Sequence, residues 1–481
     1  MPTPAALNAA TTHNWVSSIQ ASAYLFMKPT VDPQLIRRYG DQNMTGLMEM
    51  NGGMNPVASL EYFHDEDDWL HSIVIPTTQG GGAAGATVTL TVATAYQYAY
   101  PPTATAQSPY IFPNATLTTT GQVTTNPVRL YDIVQFPNRV KAKVTARTST
   151  TFDVTPLILT DAIPATTNNV TQIIIVGNMH PERSGQPDSI NSRTIQYSNN
   201  MQIFKDKHSS SGSAMGEQIW FEVKNPKGDT ARLWFYEAQL RTLKRFKNLR
   251  EVNMLVGVKT TNNTNSNLDP TDMSTEGLIP FITTNGFTTT YSLINGITRA
   301  DFETMISTQL DRNRGARENS LWVGINLGIS IDRFIGAEMK NGGILYGSFN
   351  GDQKKYIDFG FDSFQLAGYT FHKKVYDVFN YSQLLGATGQ NYVNDGMVIP
   401  MEKTVESVGP NKTKESVPSM RINYQSSVPA GGNYSRDFEE WLTGAANGVY
   451  TNETDEVNYN VKSTWGFEGF AGNRFGYISG V

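Results

Sequence analysis

The chain has 481 residues, no cysteine and a formal net charge of −5, with 39% hydrophobic and 17% charged residues. The missing cysteine excludes disulfides, thiolate metal sites and cysteine nucleophiles, and the slight acidity provides no global basic field for gripping nucleic acid. The length allows two to four packed units, and Thr, Asn, Ser and Gly fill the charge deficit, a chemistry suited to β-rich structure with many turns.

No apolar stretch approaches the roughly 20 residues of a membrane span, so no membrane partner is expected. Residues 1–15 lack the basic and apolar regions of a secretory signal, which points to a reducing cytoplasm.

Residues 1–55 read as an irregular arm. Pro29 and Pro33 break it, Gly40, Gly46, Gly52 and Gly53 loosen it, and the burst Tyr24-Leu25-Phe26-Met27 calls for something to lie against. Strand-like text runs over 59–75, followed by a flexible break at Gly80–Gly85 and alternating β-branched runs at 87–92, 140–144 and 172–176. The stretch from about 80 to 185 is therefore a β-rich insertion with its own small core. Residues 193–214 are extended and close in a Ser/Gly turn at 209–213.

The strongest helix signal starts at the cap residues Asp229-Thr230 and runs to Val256, a rod of roughly 40 Å. Its apolar residues Leu240, Leu243, Phe246, Leu249, Val252 and Leu255 recur every three positions. Such a stripe drifts by about 60° at each step, which suits a rod touching different partners along its length. After a polar loop at 260–269, Thr298 opens a helix through about Arg317, and strands are expected at 321–331, 356–361 and 369–375. The aromatic ending, Trp465, Phe467, Phe470, Phe475 and Tyr477, is expected to fold back into a core. No fixed-period repeat is present.

Motifs for chemistry are sparse. His64, Asp65, Asp67 and His71 are the candidate metal ligands, having imidazole and carboxylate donors. Consecutive residues of a strand point to opposite faces, so the competing reading is an acidic strand that pairs with basic residues of another subunit. There is no HExxH, GxSxG, Walker A or GxGxxG pattern, so no catalytic residue and no cofactor are nominated. On the long helix, Arg241, Lys244, Arg245 and Arg250 are candidate intersubunit contacts, preferred to DNA contact because, with Lys247, they point in several directions.

The order of these parts resembles the HK97-type major capsid proteins of tailed bacteriophages. Residues 193–204 are similar to their N-x-Q-I-F return strand, Ser211-Gly212-Ser213-Ala214 to the turn that follows, 237–257 to their spine helix, and Thr275-Glu276-Gly277-Leu278 to their T-x-G-L opening of the body. Phe438-Glu439-Glu440-Trp441-Leu442-Thr443-Gly444 and the Asn/Thr-rich style resemble the crAss-like phages. The resemblance implies an α+β HK97 fold with an N-arm (1–55), an E-loop region carrying the insertion (56–215), a spine helix and the start of a peripheral domain (216–275), then an axial domain and the rest of the peripheral domain (276–481). It implies self-assembly into hexamers and pentamers of an icosahedral head enclosing double-stranded DNA without sequence-specific contacts. Separate scaffold, portal and auxiliary capsid proteins are implied partners, and the virion the destination after synthesis in a bacterial cytoplasm. Two other readings stay open: a tail, fibre or receptor-binding component of a virion, and a β-rich enzyme with facing carboxylates.

Overall fold

The computed structural model describes residues 53–67, 73–92, 116–117, 123–124, 128–148, 150–167, 171–187, 194–216, 233–260, 272–311, 314–341, 363–402, 405–408, 414–446 and 448–481. The arm before residue 53, the cap Asp229-Thr230, most of the polar loop at 260–269 and the expected strand at 356–361 lie outside them. The chain divides into two compact units, one made of Phe63–Ser198 and the other of the residues on either side. The strands leading into and out of the smaller unit, Glu61–Asp67 and Thr194–Asn200, pair with each other.

The larger unit holds two sheets. The first is organised by the strand Glu456–Gly469, which pairs along one edge with Gln202–Ser211 and along the other with Glu439–Gly444 and Met420–Gln425. Met54–Val57 adds in parallel beyond Met420–Gln425. On one face of the long strand Val457, Tyr459, Val461, Trp465 and Phe467 are buried; Val457 packs with Met215 and Ala446, and the other four share a core with Phe246, Met254 and Leu255 of the helix Leu233–Val256. The aromatic C-terminus thus lies in the core, as its composition led one to expect.

The helix does not use the three-residue series evenly. Of its buried residues, Thr242, Phe246, Arg250 and Met254 are four apart and Leu255 joins them at the end, whereas Leu240 and Leu249 are 51% and 54% exposed. Four-spaced residues form a ridge that stays on one side over these turns, and that ridge packs on the sheet. The buried Thr242 hydroxyl is satisfied by donating to the Ala238 carbonyl at 2.9 Å.

Three segments distant in sequence are clasped at Phe467. Asn199 donates to the Phe467 carbonyl (2.7 Å) and accepts from the Glu276 N–H (2.9 Å). Thr275 Oγ1 accepts from the Phe467 N–H at 3.1 Å, and the Tyr62 hydroxyl also donates to the Phe467 carbonyl. Beside them the end of the long helix meets the opening of the body backbone to backbone: Gly277 N–H donates to the Gly257 carbonyl at 2.7 Å. A Cβ on Gly277 would stand 2.8 Å from Gly257 N, Leu255 C and Met254 O. The T-x-G-L segment therefore requires a glycine for steric reasons.

The second sheet has the order Phe287–Tyr291, Gly476–Gly480, Gly396–Pro400, Glu318–Val323, Tyr369–Val375 and Ser363–Leu366. Both its faces are covered. Leu321, Val323, Val398 and Ile478 pack on one side with Phe302, Leu310, Leu327 and Ile331, while Trp322, Met397, Ile399 and Tyr477 join the core that contains the long helix. Doubly buried strands lose the apolar–polar alternation, hence the unbroken buried run Gly396–Pro400.

Two expectations need correction here. The strand expected at 321–331 ends at Val323, and a helix, Ile325–Asn341, follows. Leu327 and Ile331, four apart, are its buried face, so the apparent alternation was a helical spacing read at the wrong period. The helix opened by Thr298 has the expected start, a capping box with Asp301, but after Met305 it widens into a π turn and closes at Leu310, short of Arg317. Arg314, with φ 54°, is left-handed, and the Gly315 N–H returns to the Leu310 carbonyl at 2.7 Å, which ends the helix.

The smaller unit is an antiparallel six-stranded sheet in the order Ile73–Val74, Ile173–Asn178, Asp132–Gln135, Lys141–Arg147, Thr151–Pro156 and Val88–Thr91. Its first and last strands meet: Pro76 bridges Val92, and the Thr77 N–H donates to the Thr91 carbonyl at 2.8 Å. The sheet thus closes into a small barrel without long free edges. Inside are Val74, Leu90, Val134, Phe136, Val144, Phe152, Val154, Ile163 and Ile173. The Gly80–Gly85 stretch is not a flexible break. Gly82 and Gly85 donate to the carbonyls of Ile163 and Asp161 (3.0 and 2.9 Å), so the loop seals the barrel. The expected Ser/Gly turn also begins later, because Ser209–Ser211 still belong to the strand and a short helix, Gly212–Gly216, follows.

Asp395 is buried next to the second sheet and accepts from the Tyr477 hydroxyl (2.7 Å) and the Gly480 N–H (3.2 Å). Burial raises its pKa above the usual 3.8 despite those donors. A raised carboxylate favours the folded state most below pH 3.8, and that contribution is lost as pH rises through the folded value. Relative to Asp395→Asn, the wild type should therefore gain in melting temperature as pH falls from 7 towards 4, measured by parallel thermal melts. Gly277→Ala should lower stability by about 1–3 kcal/mol, read from denaturant unfolding, because neither backbone can retreat.

Candidate functional site

The pairing around Glu456–Gly469 sorts side chains onto two faces, since residues directly opposite in an antiparallel pair share a face. Phe204, Asp206, His208 and Ser210 lie opposite Ser463, Val461, Tyr459 and Val457 on the helix-covered face. Ile203, Lys205, Lys207 and Ser209 lie opposite Thr464, Lys462, Asn460 and Asn458 on the far face. Glu439, Trp441 and Thr443 extend the same rows on the other side.

The basic run of the long helix divides between core and surface. Arg250 is turned inward: it is buried, its guanidinium carbon lies 3.2 Å from the centroid of the Trp465 ring, and Nη1 reaches Ser463 Oγ at 3.4 Å. Arg245 is exposed and grips Asp206 with two bonds, Nε to Oδ2 at 2.8 Å and Nη2 to Oδ1 at 2.6 Å. Its charge, after burial, holds the neighbouring His208 below the ordinary imidazole value. Arg241 is exposed and Lys244 half-buried. The four candidates thus do not form one patch. Arg250 is an internal strut, and Arg245 ties helix to sheet edge.

Of the metal candidates, the side chains of His64 and Asp65 are described, and these two do not converge. His64 stacks on Tyr197 at 5.4 Å and lies 3.4 Å from Glu66 on its own face. Asp65 projects from the opposite face and is exposed. His71 and the side chain of Asp67 lie outside the described residues. Among the described residues no group of three His, Cys, Asp or Glu side chains has metal-binding geometry.

Sequence reasoning missed the far face. There Lys205 and Lys462 stand directly across from each other, Lys207 is the next residue on that face, and Trp441 and Ile203 are 43% and 44% exposed. The alternation Lys205-Asp206-Lys207 signalled two lysines on one side of a strand. The arrival of Lys462 beside them depends on a pairing across some 250 residues and left no local signal. Exposed apolar side chains also mark the barrel turn, where Leu157, Ile158 and Leu159 are 41%, 59% and 82% exposed, and the turn at Ile294, 95% exposed.

Residues 77–364, more than half of the chain, match the family model of the SU10 major capsid protein. Among solved structures, the chain is similar to the capsid of cyanophage P-SCSP1u, at 11% identity over 64% of this chain and 80% of that one (TM-score 0.33). It is also similar to the capsid of a native GTA particle, at 7% identity over 97% and 99% (TM-score 0.38). A third likeness, to the capsid of Myoviridae phage XM1, has 8% identity over 63% and 81% (TM-score 0.34). No curated protein matches.

The two arginine environments predict different costs. Arg250→Ala should lower stability by about 2–3 kcal/mol, through loss of a desolvated cation–π contact and of packing. Arg245→Ala should cost under about 1 kcal/mol, since that pair is largely solvated. Thermal melts of the two variants side by side test the contrast.

Proposed function

This chain belongs to the SU10 major capsid protein family and is a structural component of a phage virion with the HK97-type α+β fold; from that premise we propose how it assembles. Copies associate into hexamers and pentamers that close into an icosahedral head around double-stranded DNA. The match of residues 77–364 to the capsid family carries this reading.

The surface chemistry supports it. Leu240 and Leu249 on the long helix, Leu157–Leu159 on the barrel and Ile294 are large apolar side chains left open in a lone subunit. Several such sites on different elements fit a subunit that gains its remaining cover from neighbours on more than one side. In this reading the arm is 1–55, the E-loop region 56–215 with the barrel as its insertion, the spine helix and start of the peripheral domain 216–275, and the axial domain with the rest of the peripheral domain 276–481. The subunit performs no catalysis and is made in the host bacterial cytoplasm. It works with a separate scaffold, a portal and auxiliary capsid proteins, and it encloses DNA without reading sequence, consistent with the net charge of −5. The Phe438–Gly444 motif and the Asn/Thr-rich composition support a crAss-like origin.

The test is assembly. Purified protein, alone and with a co-expressed scaffold, should sediment as large particles that negative-stain microscopy resolves as rings or closed shells. Protein that remains monomeric at high concentration under both conditions overturns the proposal.

A further inference from the structure

The far face of the first sheet carries a local excess of positive charge. Lys205 and Lys462 are directly opposed across paired strands, an arrangement that is destabilising without a counter-charge. Lys462 has Glu439 Oε2 at 3.9 Å and Lys207 has Glu456 Oε1 at 4.0 Å, both at the limit of an ion pair. Lys205 is exposed and makes no ion pair among the described residues. One step along the sheet, the row Lys207–Asn460–Trp441 ends in a tryptophan 43% exposed.

The strand Glu61–Asp67 has the complementary pattern. Tyr62 is buried on one face, while Glu61, Phe63 and Asp65 alternate along the other; the two acids are exposed and Phe63 is 54% exposed. Alternate residues of a strand are about 6.8 Å apart, which is also the step from the Lys205–Lys462 row to the Trp441 row. Trp441 is also one strand further over, the diagonal neighbour of Lys462 at about 7–8 Å, so a strand laid obliquely across the sheet brings its acid over the lysines and its aromatic ring towards the tryptophan.

We propose that the Glu61–Asp67 strand of one copy docks on this lysine face of a second copy, with Asp65 between Lys205 and Lys462 and Phe63 against Trp441. The inference rests on the capsid reading and names one contact by which subunits would join. Charge complementarity selects the partner, and the apolar ring beside it excludes water, so the ion pair is less screened than one on an open surface.

Charge exchange tests it, using the full chain under the conditions that assemble the wild type. Lys205→Glu and Asp65→Lys should each lower particle yield by about tenfold or more. The double variant should recover most of the yield, and Lys205→Gln should fall between. Circular dichroism melts of each variant matching the wild type would show that the subunit is intact. The inference is overturned if Lys205→Glu assembles like the wild type, or if the double variant does no better than the singles. Normal assembly with loss of packaged DNA would assign the lysines to phosphate instead and equally overturn it. If the wild type itself yields no particles, the capsid reading fails first, so the two failures are distinguishable.

Discussion

The clasp at Phe467 constrains the rest of the larger unit. Asn199, Thr275 and Tyr62 arrive from three parts of the chain and satisfy both backbone groups of one residue in the strand Glu456–Gly469. A buried backbone N–H or carbonyl without a partner costs a large part of a domain's net stability, so these bonds specify one arrangement among many. The same strand organises the sheet on both edges, and the long helix lies across it with Arg250 stacked on Trp465. Neither the helix nor the sheet can move without disturbing the other.

Burial differs in kind among the three larger sheets, and each kind has its own sequence texture. The sheet built on Gly396–Pro400 is covered on both faces and reads as continuous apolar text. The barrel is covered only inside, and Thr151–Pro156 alternates strictly between buried and half-buried residues. Its outside is polar, with Thr87, Thr89, Thr145 and Thr155 in hydroxyl contacts with one another or with Asp153. The sheet built on Glu456–Gly469 is intermediate. One face is a full core, and the other runs from the buried Glu468–Arg421–Asn423 network to the exposed Lys205 and Lys207 and the half-buried Lys462.

Low overall charge has a physical role in this setting. A subunit that packs edge to edge with many copies of itself accumulates any excess charge over the whole assembly, so self-repulsion grows with copy number. With 17% charged residues and a net charge of −5, that term stays small, and local pairs such as Arg245–Asp206 can set geometry without dominating the energy.

The sequence by itself determined whatever depends on neighbours in the chain. The strand Tyr369–Val375, the helix start at Thr298, the end of the long helix at Val256 and the barrel strands Val88–Thr91, Lys141–Arg147 and Ile173–Asn178 were legible, because side-chain period and caps act within a few residues. The resemblance to capsid proteins was carried by the order of parts and by residues 193–204, 211–214, 237–257 and 275–278, and part of the physical content of those segments is the clasp of Asn199 and Thr275 on Phe467 and the Gly257–Gly277 contact. Tertiary structure alone decided which side of the long helix is inside, that Arg250 is a strut while Arg245 is not, and that 325–341 is a helix. It alone placed Lys462 against Lys205. Each of these depends on which distant segment comes to lie alongside, and pairing across hundreds of residues is fixed by the packing of the whole unit, of which no local stretch keeps a record.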